Sequence, residues 1–184
     1  MNTRIIGIVL LLLTCILLSS PVMAQKGRGK GPMGGGPMGK GALGKGQNAD
    51  AAFAADRDLF HGLLTHRADI RRDVKKTPNG VETLTESDKP EVAAAIQKHV
   101  ASMEARVKNK NPIHARDPLF AELFRHADKI KFVYKPTAKG MHVIEASDDP
   151  YVARLIQSHA DVVSLFLKNG FDEVKRNHDL PAKP

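Results

Sequence analysis

A block of 51 residues, 59–109, occurs twice in this chain at a constant spacing of 60 positions, without insertion or deletion. At 18 of these 51 positions the residue is identical to the one 60 positions later. The identical pairs include Gly80 and Gly140, Asp88 and Asp148, and His99 and His159. Such a pattern is one supersecondary unit used twice, so it predicts two tandem repeats, about 55–114 and 115–174, related by an approximate two-fold.

Each repeat is predicted to begin and end with a helix. Apolar residues recur at helical spacing in these segments, and an aspartate near each start can accept hydrogen bonds from the first free backbone N–H groups. Proline follows in the first turn of three of the four helices, where its missing N–H is not needed. The predicted N-caps are Asp56 or Asp58, Asp117, Asp88 and Asp148.

Between the two helices of each repeat, short apolar runs predict a β-hairpin. The turns fall at Asn79-Gly80 and Lys139-Gly140, since both central residues of a type I′ turn need positive φ. A lone hairpin is marginal in water, so the two should pair into one four-stranded antiparallel sheet covered by helices. The second hairpin is the more apolar, so its strands should be more central or better covered. The predicted strands are 70–75, 81–85, 130–135 and 141–145. The fold class is therefore α+β, built from two αββα repeats.

The first 24 residues have the pattern of a secretory signal peptide. Arg4 precedes an apolar run over 5–18, and 22–24 form a small-x-small cleavage site. The run is shorter than the roughly 20 residues of a membrane span, so we expect cleavage after Ala24 and no transmembrane span in the mature protein. The protein should then be periplasmic or secreted. Lipidation of Cys15, the only cysteine, is the alternative fate of this segment.

Residues 25–49 are predicted to be a disordered linker. They contain ten glycines, five basic residues and no acidic residue, so they cannot bury enough apolar surface to offset their ordering entropy. Their charge suits contact with an anionic envelope surface. Six of the 28 basic residues precede Asp50, which leaves 22 against 20 acidic residues. The single domain predicted over 50–178, with a tail at 179–184, therefore shows no specific nucleic-acid signature.

Four histidines occupy matching places in the two repeats. His66 and His126 follow the first helices' apolar residues, and His99 and His159 follow those of the second helices, so helical spacing puts all four on apolar sides. One role is a core histidine whose ring nitrogens are satisfied by hydrogen bonds. The other is ligation of a metal or haem. The matching partners for the first role are Gln97, Gln157, Asp88, Asp148 or a backbone carbonyl.

As ligands, His66, His99, His126 and His159 leave several arrangements open. One repeat supplies two imidazoles, too few for a closed four-coordinate site, so either all four meet or two bis-histidine sites form. Met103, one turn after His99, adds a soft ligand that suits copper or haem, although its counterpart is a valine. Copper, zinc and haem are the candidate cofactors. The other histidines, assigned to the surface or to local contacts, are His61, His114, His142 and His178.

Two stretches of the chain resemble a family of short exported bacterial proteins. The first runs from Gly80-Val81-Glu82-Thr83 to Gln97-Lys98-His99-Val100, and the second from Asp117-Pro118-Leu119-Phe120 to Gln157-Ser158-His159-Ala160. The resemblance covers about 55–180, and members often carry a glycine- and methionine-rich stretch after the signal. It implies export and a duplicated helix-hairpin-helix unit. The family has no established activity, ligand or catalytic residue to carry over.

No spacing signal for catalysis is present: the chain has no HExxH, P-loop or GxSxG motif. We therefore expect an exported, non-enzymatic binding module whose repeated histidines hold a transition metal or haem. The alternative is an envelope structural or interaction protein with core histidines, whose basic linker contacts anionic partners.

Overall fold

The computed structural model describes residues 51–183, which form an α+β fold with a four-stranded antiparallel sheet and five helices. The predicted signal peptide and linker, 1–24 and 25–49, lie outside the described residues. The elements are α1 Ala51–Thr65, β1 Ile70–Thr77, β2 Gly80–Ser87, α2 Pro90–Lys108, α3 Pro118–Arg125, β3 Lys131–Thr137, β4 Gly140–Ala146, α4 Pro150–Asn169 and α5 Phe171–Val174. Short 3-10 turns connect α1 to β1 and α3 to β3.

The strand order in the sheet is β1-β2-β4-β3, so the two hairpins join through their second strands. In the middle of the β2–β4 pair, Thr83 lies opposite Val143. Side chains alternate along the strands: Val81, Thr83, Met141 and Val143 are buried, whereas Ile144 is exposed. The helices α2 and α4 pack on the buried face, with α1 against α2 and α3 against α4. Coverage of the sheet by helices is thus confirmed.

The four predicted strands are confirmed, with small differences at their ends. The expectation that the second hairpin would be the more central is wrong. Because β2 pairs with β4, each hairpin contributes one central strand and one edge strand. On the edge strand β3, Val133 is 61% exposed although it is apolar.

The hairpin turns are present, but the type I′ prediction is wrong. Thr77 pairs with Gly80 and Thr137 with Gly140, so the two turn residues precede each glycine. They are 78–79 and 138–139, and the first turn contains Pro78. Positive φ among the described residues occurs at Lys110, His114 and Gly170 and at none of these positions.

Gly80 and Gly140 are instead required by close approach of two backbones. A Cβ on Gly80 would lie 1.9 Å from the carbonyl oxygen of Glu145, and one on Gly140 would lie 2.0 Å from that of Thr85. Real Cβ atoms do not come so close to a backbone oxygen. The two glycines therefore allow β2 and β4 to pair along their full length.

The helix caps are partly as predicted. Asp117 caps α3 and accepts from the backbone N of Leu119, with proline at the first helical position. The prediction for α4 is wrong by one residue, because Asp149 is its cap, and α2 begins after Lys89 without a side-chain cap. The predicted caps of α2 and α4 bond surface cations instead: Asp88 accepts from Arg71 and Lys139, and Asp148 accepts from Lys131.

Neither Asp56 nor Asp58 caps α1, because the helix already runs from residue 51. Asp56 is buried on the face of α1 toward α2. It accepts from Arg106 Nε at 2.5 Å and from Ser102 Oγ at 2.5 Å. The aspartate thus ties α1 to α2.

Candidate ligand cavity

A cavity of about 840 Å³ lies between the covered face of the sheet and the helices. Phenylalanines from four elements line it, namely Phe60, Phe120, Phe132 and Phe166. Protein interiors are close-packed and hold few voids larger than a water molecule. A space of this size falls within the range of about 300–1,000 Å³ that is typical of pockets for small organic molecules.

His99 on α2 and His159 on α4 both line this cavity, so the structure brings this predicted pair to one site. Phe60 stacks on the His99 ring with centroids 6.0 Å apart, and Phe120 meets His159 edge-on at 5.1 Å. Each imidazole has a buried Nδ1 without a hydrogen-bond partner. An unmet buried polar atom costs about 1–3 kcal/mol, so neither ring is explained as part of a satisfied core.

The predicted core partners of these histidines are engaged elsewhere. Gln97 Nε2 donates to the carbonyls of Thr137 and Gly140, and Gln157 Nε2 donates to those of Thr77 and Gly80. Each glutamine therefore holds the turn of a hairpin. The hypothesis that the glutamines satisfy the histidines is wrong.

Both cavity histidines are neutral at pH 7. Burial lowers the pKa of His99 to about 4, although the carboxylate of Asp56 acts to raise it. Burial likewise lowers the pKa of His159 to about 4, and the charges of Arg72 and of a protonated His99 lower it further. These two uncharged imidazoles come from different helices, and His61 and His114 also line the cavity.

His66 and His126 do not join them. The His66 ring is 48% exposed, with Nδ1 3.5 Å from Asp69 Oδ2, and His126 Nε2 lies 3.4 Å from Glu122 Oε1. Their predicted placement on helix apolar sides fails because α1 ends at Thr65 and α3 at Arg125, just before each histidine. Helical spacing cannot be extended past the end of a helix.

No metal-binding group of the predicted kind forms. Within residues 51–183, no three His, Cys, Asp or Glu side chains are placed so that they could hold a metal ion. The four-histidine site is therefore wrong as an arrangement. Met103 does line the cavity together with His99 and His159. Of the predicted ligands, these three therefore reach the cavity, and each has a soft or borderline donor atom.

Two ionisable residues of the sheet, Arg72 and Glu145, also line the cavity and were not predicted as site residues. Arg72 on β1 is half-buried, and its Nη1 donates to Thr85 Oγ1 at 2.7 Å. Its Nε is buried without a partner. Burial lowers the pKa of Arg72, but a guanidinium keeps its charge in proteins. Strand alternation could have found it, because Ile70, Arg72 and Val74 point to the same face of β1.

Glu145 on β4 is buried on the cavity floor. Burial raises the pKa of its carboxyl to about 7, and the positive charge of Arg72 acts in the opposite direction. At neutral pH this group is therefore close to half-protonated. The same alternation places Glu145 on one face with the buried Met141 and Val143.

One side of the cavity is closed by the segment after α4. Val174, Lys175, Arg176 and Asn177 line it. His178, assigned to the surface or to local contacts by sequence, keeps only 12% of its side chain exposed. The chain end beyond it, 179–183, has no helix or strand.

His178 fastens this segment to α3. Its Nδ1 lies 2.6 Å from Asp117 Oδ2 and its Nε2 lies 3.0 Å from Glu173 Oε1. Burial alone would lower the pKa of His178, but these two carboxylates outweigh it and raise the pKa. His114 also approaches, with Nε2 3.8 Å from Asp117 Oδ2. Asp117 is therefore at once the cap of α3 and the anchor of the C-terminal segment.

Within residues 51–183, no helix is both long enough and apolar enough to cross a bilayer. Comparison of the chain with protein-family models, curated proteins and solved structures finds no match.

Proposed function

We propose that this protein is a binding module that holds a small, largely apolar molecule in its interior cavity. The observation that carries the proposal is the cavity itself: about 840 Å³, walled by phenylalanines and by the side chains of His99 and His159. Protein interiors are normally close-packed, so a space of that size between the sheet and the helices is room for another molecule. Occupation by a ligand would supply the van der Waals contacts that these side chains otherwise lack.

Binding rather than catalysis is favoured by the state of these groups. Both histidines are neutral, and among the described residues neither ring is oriented by donating its Nδ1–H to a carboxylate. A general base normally needs such an orienting partner and a proton to accept within hydrogen-bond reach. The cavity thus supplies a shaped, mostly apolar environment.

The proposal is tested with a neutral dye whose fluorescence rises in apolar surroundings, such as Nile red. We expect saturable binding of one dye per full mature chain. Thr83→Phe should abolish it, because Thr83 is buried in the cavity lining. The matched control is Leu84→Phe, since Leu84 is next on β2 and points to the opposite face. Absence of saturable binding, or equal binding by both variants, would contradict the proposal.

A second candidate is haem held by His99 and His159. It is favoured by one observation, that two neutral imidazoles from α2 and α4 line one aromatic cavity. Histidine is the usual protein ligand of haem iron, and haem is itself flat and apolar. Titration with haem should then give a sharp Soret band that weakens in His99→Ala and in His159→Ala but not in His66→Ala. An unchanged band in the cavity variants would rule it out.

We also propose that residues 55–114 and 115–174 are tandem repeats related by a pseudo-two-fold. Three observations support this proposal. Thr83 and Val143, 60 positions apart, lie opposite each other at the centre of the sheet. The amides of Gln97 and Gln157 each hold a hairpin turn, and the contact glycines Gly80 and Gly140 each approach a carbonyl of the partner strand.

Export is a further proposal, supported by the signal-like sequence of residues 1–24. N-terminal sequencing of protein from the periplasm or medium should begin at Gln25. Contact of 25–49 with an anionic surface is tested by deleting 25–48 and measuring binding to anionic vesicles, which should be lost together with its salt sensitivity.

A further inference from the structure

We propose that the ligand of this cavity is an organic anion with an apolar body, and that its carboxylate is bound by Arg72. The inference rests on the proposed binding function and adds the chemical class of the ligand. The observation behind it is the state of the Arg72 guanidinium.

Arg72 is an inward-facing cation with no carboxylate at ion-pair distance among residues 51–183, although the charge of Glu145 is near enough to act on it. Its only side-chain hydrogen bond there goes to the hydroxyl of Thr85, and its Nε is buried and unmet. Its neighbour Arg71, on the outer face of the same strand, lies 2.6 Å from an oxygen of Asp88. A guanidinium has five donors in a planar fork that fits a carboxylate. The inward arginine is thus the one that lacks its natural counterpart.

The groups around Arg72 would not oppose an incoming carboxylate. His99 on α2 and His159 on α4 are uncharged at pH 7, so they can donate or accept a hydrogen bond. Glu145 on β4 carries a proton for much of the time at that pH, because burial raises its pKa to about 7. In its protonated form it donates a hydrogen bond instead of repelling an anion.

Four exposed cations line the cavity, namely Arg57, Arg116, Lys175 and Arg176. Three of them pair with neighbouring carboxylates, Arg57 with Asp58, Lys175 with Asp172 and Arg176 with Glu173. Arg116 makes no ion pair among residues 51–183, and its charge favours the approach of an anion. The rim carboxylate Asp117 is engaged by His178. Beyond the headgroup, the phenylalanine walls can accept only an apolar chain or ring. An apolar carboxylic acid is therefore the class of ligand that fits.

The experiment compares laurate with 1-dodecanol, which has the same chain length and no charge. Both are measured by displacement of the neutral dye from the full mature chain at pH 6. Laurate should bind at least about tenfold more tightly than dodecanol, as a charge-assisted pair within a cavity requires. Arg72→Gln should remove most of that difference by weakening the binding of laurate. The matched control Arg71→Gln, on the outer face of β1, should preserve it.

The outcomes separate the two levels of the proposal. If neither ligand displaces dye, or no dye binds, the binding function itself fails. If dodecanol binds as tightly as laurate to the unsubstituted protein, the cavity binds apolar molecules but the anion inference is overturned, whether or not Arg72→Gln folds. If Arg71→Gln weakens laurate as much as Arg72→Gln does, the overall positive charge of the protein selects the anion and the assignment to Arg72 is overturned.

Discussion

Acid should destabilise this protein through His99 and His159. The pKa of each is about 4 in the folded protein because of burial, against an ordinary 6.5. The unfolded chain therefore binds protons at these sites between pH 6.5 and 4 while the folded chain does not. The stability they contribute is complete above pH 6.5 and is lost as the pH falls toward 4. Between pH 7 and pH 5 each histidine should cost roughly 2 kcal/mol of unfolding free energy.

Glu145 has the opposite effect between pH 7 and pH 5, because acidification there raises its contribution to the unfolding free energy. Burial raises the pKa of its carboxyl from 4.5 to about 7, with Arg72 opposing the rise. The folded state holds this proton where the unfolded state has lost it, so the contribution is complete below pH 4.5 and is lost as the pH rises through 7. From pH 7 to pH 5 it should add roughly 2 kcal/mol. Summed over these three groups, the unsubstituted protein should lose about 2 kcal/mol, whereas Glu145→Gln should lose about 4 kcal/mol. His114 and His178, whose pKa values are shifted in opposite directions, act against each other in both proteins.

Urea unfolding followed by far-UV circular dichroism measures these differences, since the chain has no tryptophan for fluorescence. His99→Gln should be nearly indifferent to pH between 7 and 5, because His159 and Glu145 then offset each other. The control is His66→Gln, because the His66 ring is half exposed at the end of α1. This variant should lose as much unfolding free energy between pH 7 and pH 5 as the unsubstituted protein does. If Glu145→Gln loses no more stability than the unsubstituted protein, the reasoning about the cavity floor is refuted.

Three further predictions concern the frame of the cavity. Gly80→Ala should lower the unfolding free energy by about 3 kcal/mol, whereas Gly62→Ala, with nothing within 4 Å of the new Cβ, should raise it by about 1 kcal/mol in urea melts. Asp56→Ala should cost about 3 kcal/mol by removing the buried acceptor between α1 and α2, whereas exposed Asp58→Ala should change stability by less than about 0.5 kcal/mol. His178→Ala should speed hydrogen exchange of amides 170–178 while β2 stays protected; equal protection of 170–178 would show that the two carboxylate bonds do not hold the segment.

Most elements of the fold could be read from local signals. Strand alternation, the proline at the start of α2, α3 and α4, and the glycine after each turn all act over a few residues, so they placed the sheet and these helices. The wrong predictions concern residues whose sequence position suggests one role while a contact elsewhere in the fold gives them another. Gly80 marks the turn in sequence, yet it is required because β2 and β4 approach so closely. Asp88 has the sequence position of a cap, yet surface cations compete for its carboxylate.

The site was only half predictable for a related reason. His99 and His159 lie well inside long helices, where helical spacing holds, and both reach the cavity. His66 and His126 lie just past helix ends, where helical spacing no longer predicts which side a residue faces. Arg72 and Glu145 have inward places in strand alternation but no motif around them. Their importance depends on the cavity between the sheet and the helices. Elements far apart in the sequence form this cavity, so no local sequence pattern predicts it.

If the two halves are duplicates, the residues that match at the 60-residue spacing and those that differ have separate roles. Those that match include the contact glycines, the turn-holding glutamines and the cavity histidines. The counterpart of Arg72 is Phe132, and the counterpart of Thr85, which Arg72 bonds, is Glu145. A strictly symmetric cavity would favour a ligand with two equal ends. Because these two pairs differ, one half of the floor presents a cation and the other an aromatic ring beside a protonatable acid, so the ligand should be polar at one end only.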